Sequence, residues 1–307
     1  MELNFLDDIL PINTKPSVAT IGFFDGFHLG HQFLLSKLKE FGEENNQTTC
    51  VVTFGNHPKS LFSPIAIPKL LSTSIEKRSL VKNFGIDNCF VLKFDMSLAR
   101  LTAKEFLGIL KRRICLKTLF VGYDHTFGSD KISDFVTIND ICKSLDIKAI
   151  KVPSLVKDDV VVSSSSIRQL LSKSDVEKAS SLLGRCYSLE GEVVRGYQNG
   201  RRIGFPTANI LASSEKLIPQ RGVYAVRVFF EEKCFNGMMN IGFRPTLCGK
   251  ELSLEVHIFD FSKDIYGELL HIEFVKFVRP EIKFNSLESL KNQLVVDKKT
   301  ILSIFDD

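Results

Sequence analysis

At 307 residues the chain has the length of about two domains, each able to bury its own core, and its 44% apolar and 25% charged content is that of a globular protein. The net charge of +4, from 40 basic and 36 acidic residues without a long basic run, argues against nucleic acid and suits anionic small molecules. No run approaches the ~18 apolar residues of a membrane span, and an N-terminus carrying Glu2, Asp7 and Asp8 is not a secretory signal, so no membrane role is expected.

The first element, Ser17-Val18-Ala19-Thr20-Ile21, is short, β-branched and apolar, and reads as a buried strand ended by Gly22. Leu34, Leu38 and Phe41 then recur at helical spacing, which makes the opening unit strand, glycine-rich turn and helix. A helix starting at such a turn aims free backbone N–H groups and the positive end of its dipole above the sheet, a ready site for phosphate. His28 and His31, three apart on the first turn, share a face and can donate to one anion. The loop lacks the lysine and hydroxyl of G-x-x-x-x-G-K-[ST] and the glycine offsets of G-x-G-x-x-G, so it is neither of those phosphate loops. Read from Gly22 to His31, the pattern G-x-F-D-G-x-H-x-G-H resembles the histidine motif of the nucleotidyltransferase superfamily, in the form carried by prokaryotic bifunctional riboflavin kinase/FAD synthetases.

Further strands are predicted at 48–54, 89–94, 118–121 and 147–152, with helices between them, one opening on the capping box Thr102-Ala103-Lys104-Glu105. The alternation implies an α/β domain with a doubly wound, mostly parallel sheet, in which ligands sit beyond the carboxyl ends of the strands. Three punctuated segments fall there: the histidine motif, residues 53–58 and residues 122–128. Asn56, His57 and Pro58 equally suit turn chemistry, and Asp124 an ordinary loop acid. A fourth segment, Ser163 through Ser166 followed by Ile167 and Arg168, combines hydroxyls with a planar cation and suits a phosphate chain, while a plain helix start explains one or two of the serines.

These segments extend the resemblance. Thr53-Phe54 and His57-Pro58 resemble T-F-x-P-H-P with Asn56 for a proline, and residues 163–168 resemble S-S-T-x-I-R with Ser165 for threonine. Residues 122–128 resemble G-x-D-F-x-F-G, with His125 in place of a phenylalanine. The resemblance implies an FMN adenylyltransferase with His28, His31 and Arg168 as catalytic residues. It puts Gly22, Phe24, Ser164 and Ser165 at the nucleotide, and Asn56, His57, Asp124 and Phe127 at the flavin.

Residues 182–187 mark a change of architecture, which places domains at 1–183 and 184–307. Period-two stretches at 190–194, 223–230, 238–241, 253–259 and 269–278, with turns at Asn199-Gly200, Asn236-Gly237 and Tyr266-Gly267, predict an antiparallel barrel or sandwich closed by helices from about Ser286. In residues 200–209, glycines permit close backbone approach, Pro206 stiffens the turn, and Thr207 and Asn209 present oxygens on one side if extended, hard ligands that with ATP phosphates suit Mg²⁺. Residues 252–258 alternate, so Ser253, Glu255 and His257 share one face.

Gly200-Arg201-Arg202-Ile203-Gly204-Phe205-Pro206-Thr207-Ala208-Asn209 resembles the riboflavin kinase signature, and residues 254–260 resemble the segment with its catalytic glutamate. The resemblance therefore implies a riboflavin-kinase β-barrel with Glu255 as general base, Gly204, Thr207 and Asn209 at the ATP, the latter two at Mg²⁺, and Arg279 at the flavin. It covers about residues 17 to 295 and implies an enzyme that phosphorylates riboflavin to FMN and adenylylates FMN to FAD, each with ATP, leaving the oligomeric state open. Seven scattered cysteines without C-x-x-C spacing predict buried free thiols, no structural zinc and a cytoplasmic protein. Two other readings stay open from sequence: a single adenylyltransferase for another phosphate-bearing substrate, and a binding module without turnover that senses flavin or binds nucleic acid, the latter form disfavoured by the missing basic stripe.

Overall fold

The structure is a computed structural model and describes residues 15–56, 61, 68–123, 125–126, 128–196, 200, 203–246 and 249–306. His57, Asp124 and Phe127, together with the turn residue Asn199, lie outside the described residues. The chain divides into two compact units, Met1–Ser164 and Ser165–Asp307.

In the first unit, β1 (Ser17–Ile21), α1 (Leu29–Glu44), β2 (Thr48–Phe54), α2 (Ser74–Asn83) and β3 (Asn88–Leu92) are followed by α3 (Met96–Ala99), α4 (Ala103–Ile114), β4 (Leu116–Val121), α5 (Phe135–Ser144) and β5 (Lys148–Lys151). A small hairpin, β6 (Val156–Lys157) with β7 (Val160–Val161), closes the unit. The five long strands form one parallel sheet in the order β3-β2-β1-β4-β5.

Alternation within β1 explains the two layers of helices. Val18 packs with Leu34, Leu35 and Leu38 of α1 and Val81 of α2, while Ala19 and Ile21 pack on the other face with Leu107 and Leu110 of α4 and Ile138 of α5. Each of these fully buried leucines contributes on the order of 2 kcal/mol of transfer free energy. The helices start where local chemistry dictates: Thr102 and Glu105 form the predicted capping box of α4, and Thr73 with Glu76 forms a second one on α2.

The second unit contains α6 (Ser164–Leu171), whose first residue closes the preceding unit, and α7 (Val176–Leu183). Then come β8 (Tyr187–Val194), β9 (Ala208–Ala212), β10 (Gly222–Phe230), β11 (Lys233–Thr246), β12 (Gly249–Ile258), β13 (Leu269–Arg279) and α8 (Leu287–Asp306). The six strands close into an antiparallel barrel in the order β10-β11-β12-β9-β8-β13. The α/β plus β-barrel architecture read from the sequence is thus present, the sandwich alternative being excluded by closure.

Two local expectations are corrected. Asn236 and Gly237 do not turn the chain: they lie inside β11, where Gly237 pairs with Val226 and Ile258. The hairpin turns instead at Glu231 and Glu232, both left-handed at φ 47 and 62, because Phe230 and Lys233 pair directly and leave two residues to reverse the strand. Strand β9 was not expected; it runs straight out of the glycine-rich signature. None of the six described cysteines is joined in a disulfide; Cys50 and Cys142 are buried and Cys234 is exposed.

Candidate functional site

The chain leaves β1 for β2 and β3 on one side and returns to β4 on the other, so a ligand crevice opens beyond the carboxyl ends of β1 and β4. Residues 22–28 occupy that position. Gly22 follows β1, its N–H donating to the Val52 carbonyl at 3.0 Å, and a Cβ there would come within 2.9 Å of the Phe24 ring. Phe24 and Phe27 adopt the left-handed region at φ 51 and 43, which costs energy for an aromatic residue and persists only where surroundings impose it. Asp25 supplies the constraint: its buried carboxylate accepts the N–H groups of Leu71 and Ser72 at 3.1 and 3.0 Å, and Ser72 Oγ accepts the Gly26 N–H at 3.0 Å. Ser164 Oγ donates to the Asp25 carbonyl at 2.9 Å, tying the serine run to the same loop.

His28 caps α1, its Nδ1 accepting the His31 N–H at 3.3 Å, and the two rings stack with centroids 3.6 Å apart. Phe24 packs edge-on against the His31 ring at 5.0 Å. Nδ1 of His31 is sealed from solvent and has no hydrogen-bond partner among the described residues. Burial first, then His28 and Lys77, hold His31 well below the usual imidazole range, so the ring is neutral near pH 7.

Lys77 of α2 is a member of this site that the sequence analysis missed. Only 2% exposed, its Nζ donates to the carbonyls of Phe23 at 3.0 Å and Phe54 at 2.7 Å and lies 4.3 Å from the centroid of the Phe23 ring. Nothing in the polar stretch Ser74-Ile75-Glu76-Lys77-Arg78 sets it apart from a solvated helix face. Asn56 is engaged at both ends of its amide, giving to the Phe94 carbonyl and accepting its N–H, each at 2.8 Å, which joins the ends of β2 and β3. Ser165 is exposed, and Arg168 lies partly buried one turn further along α6.

The second site is built on strand register. Asn209 of β9 faces Glu255 of β12, Glu255 faces Asn240 of β11, Asn240 faces Val223 of β10, and Val223 faces Arg279 of β13. Directly opposed residues of antiparallel strands share a face, so one row across five strands collects Asn209, Glu255 and Arg279 from distant parts of the chain. At about 5 Å per strand step the row spans at most roughly 20 Å.

Glu255 is oriented by two hydroxyls, Thr207 Oγ1 donating to Oε2 at 3.3 Å and Ser253 Oγ to Oε1 at 3.0 Å. His257, on the same face as predicted, has Nδ1 2.7 Å from the Pro206 carbonyl and so holds the loop that delivers Thr207. Gly204 bends that loop at φ 85, a conformation that residues with a Cβ rarely adopt. The opposite face of β12, Leu254, Val256 and Ile258, is buried.

Arg279 is engaged in the second unit itself. Its guanidinium forms a bidentate pair with Asp297 of α8, with Nε–Oδ1 at 2.9 Å and Nη2–Oδ2 at 2.7 Å, and also donates to the Pro280 carbonyl at 3.0 Å. Ser253 and Asn240 were not singled out as site residues; the alternation of residues 252–258 could have found Ser253, whereas Asn240 needs the register.

A family model described as FAD synthetase matches residues 10–166, and one described as Riboflavin kinase matches residues 183–305. A curated relative in Bacillus subtilis, "Bifunctional riboflavin kinase/FMN adenylyltransferase", is 36% identical over 297 residues that span 95% of this chain and 93% of the relative. This chain belongs to the bifunctional riboflavin kinase/FMN adenylyltransferase family. A Haemophilus influenzae member of that family is 37% identical, with 94% of each chain covered. Among solved structures, one titled as a macrolide-efflux protein from Streptococcus pneumoniae matches with a TM-score of 0.86 at 32% identity, covering 94% of both chains. Among the described residues no helix of this family member is long and apolar enough to cross a membrane.

Proposed function

We propose that this chain phosphorylates riboflavin to FMN in its C-terminal half and adenylylates FMN to FAD in its N-terminal half. The observation that carries this reading is the order of the two family matches, which fall on successive parts of the chain that each hold a polar site of their own. We put the functional boundary at 183/184, a reading supported by a kinase match that starts at residue 183.

In the kinase, Glu255 takes the proton of the riboflavin 5′-hydroxyl as that oxygen bonds to the γ-phosphorus of ATP, and the β–γ bridging oxygen leaves with ADP. Thr207 and Ser253 support this role by holding both carboxylate oxygens in one orientation. The hydroxyl of Thr207, just before β9, and the side-chain carbonyl of Asn209 in β9 are hard oxygen donors beside the Glu255 carboxylate, a pair that fits Mg²⁺ shared with nucleotide phosphates. Bound there through Thr207 and Asn209, the ion would offset the charge of the phosphates. Gly204 lets the loop approach the nucleotide, and Arg279, its guanidinium held by Asp297, borders the flavin.

In the adenylyltransferase, a phosphate oxygen of FMN attacks the α-phosphorus of ATP and pyrophosphate leaves, a step that needs alignment and charge stabilisation rather than a covalent enzyme intermediate. His28 and His31 donate to the phosphates, the loop of Gly22 and Phe24 and the serines Ser164 and Ser165 cradle the nucleotide, and Arg168 adds a planar cation. Asn56, His57, Asp124 and Phe127 are assigned to the flavin. Seven scattered cysteines without C-x-x-C spacing support a cytoplasmic setting.

The test is chromatography of products formed from riboflavin, ATP and Mg²⁺. FMN appearing first and FAD later is the expected course; FMN alone would remove the adenylyltransferase, and neither product would remove both activities.

A further inference from the structure

The first unit buries a lysine that neither the fold nor the reading of the histidine motif requires. Phe23 lies in the loop after β1 and Phe54 ends β2, so the two carbonyls that accept from Lys77 both sit at the carboxyl edge of the sheet, where the ligand crevice opens. Thr53 Oγ1 donates to the same Phe23 carbonyl at 3.2 Å, so the backbone just before Phe24 is held from β2 and α2 together.

We propose that Lys77 is a positioning residue of the adenylyl-transfer site: its ammonium ties the loop after β1 to the end of β2 and thereby sets His28 and His31 against the triphosphate. This rests on the adenylyltransferase reading of the first unit. A carbonyl tie alone could be made by an uncharged donor without the desolvation cost of a buried ammonium. The charge has a use in a crevice that takes two phosphate-bearing substrates, because it acts across a low-dielectric interior beside the ring that would donate to them.

The titratable groups facing Lys77 are Asp25 from the loop after β1, His31 of α1 and Cys89 of β3. Burial lowers the Lys77 ammonium to about 8, against the opposing pull of Asp25 and Cys89, so its charge is lost just above neutral pH. Burial raises the Cys89 thiol, which removes it from that range.

The experiment measures kcat and KM for FAD formation from FMN and ATP between about pH 6.5 and about pH 9.5, using full-length wild type, K77M and K77R, with FMN formation from riboflavin followed in the same samples. The expected wild-type kcat falls through about pH 8 for FAD formation and not for FMN formation. K77M is expected to lose at least about tenfold in kcat at neutral pH, with KM for FMN within about threefold and no alkaline limb. K77R keeps the charge and is expected to retain activity with the limb moved above about pH 9. A wild-type profile flat across the range, a limb that persists unchanged in K77R, or wild-type kcat in K77M overturns the proposal. If K77M does not fold, the wild-type and K77R profiles decide it. Absence of FAD formation by wild type at every pH overturns the adenylyltransferase reading and the proposal with it.

Discussion

Nδ1 of His28 accepts the backbone N–H of His31 at 3.3 Å, so one ring nitrogen of the motif is committed to capping the helix. In the neutral ring an accepting Nδ1 places the proton on Nε2, which makes His28 a hydrogen-bond donor of defined direction. Capping and the proposed catalytic role are therefore separable by substitution.

His28→Asn keeps a side-chain oxygen for the cap and should leave the melting temperature within a degree or two of wild type, whereas His28→Ala should cost about 1 kcal/mol of stability. Both should lower FAD formation about 10²- to 10³-fold, the loss typical of one donor to developing charge, and neither should alter FMN formation. Product chromatography beside thermal unfolding checks this; equal loss of both products would refute the separation of the two sites.

Glu255→Gln preserves the side chain's shape and removes the proposed base. FMN formation should fall by about 10²- to 10⁴-fold while FAD formation from supplied FMN continues. Ser253→Ala, which only loosens the carboxylate, should give a smaller loss in kcat, whereas Thr207→Ala, which also removes a proposed Mg²⁺ ligand, should lose more than Ser253→Ala; a steady-state assay of each variant orders the three.

Two histidines give the units opposite responses to pH. Burial holds His125 down at about 4, below its ordinary 6.5, so the unfolded chain takes up that proton first and stability is lost as pH falls from 6.5 toward 4. His271, beside Glu190 at 3.5 Å and Glu273 at 3.9 Å, is raised to about 9 by its bonds to these carboxylates. Its contribution is fully present below 6.5 and is lost as pH rises through about 9. His125→Phe should flatten the acid side of the first unit's unfolding curve and His271→Gln the alkaline side of the second's; calorimetry across the two ranges reads both, and unchanged curves would show that these groups do not titrate with folding.

The pairing of Arg279 with Asp297, a residue only 2% exposed, joins β13 to α8. Asp297→Ala leaves a cation uncompensated and should destabilise the second unit by about 3–5 kcal/mol. Arg279→Lys keeps the charge and loses the fork, so it should cost less. Urea unfolding measures both, and FAD formation from supplied FMN should be unaffected.

Local signals were legible wherever a few neighbouring residues decide the conformation. The bounds of β1 and β2 and the Thr102-Glu105 capping box follow directly from the chain, as does the shared face of Ser253, Glu255 and His257. The Asn236-Gly237 turn failed for the same reason: a local preference yielded to the ladder of β11 with both its neighbours.

By itself the sequence determined the strand–turn–helix that carries His28 and His31, the change from α/β to β architecture, and the residue types at both sites, because periodicity, caps and glycine chemistry act over one or two turns. Only the tertiary structure decided that Asn209, Glu255, Asn240 and Arg279 share one row, that Arg279 is held by Asp297, and that Lys77 closes the loop beneath the histidines. Those relationships are set by hydrogen-bond register and by the cost of burying an unpartnered charge, quantities that exist only once distant segments have been brought together.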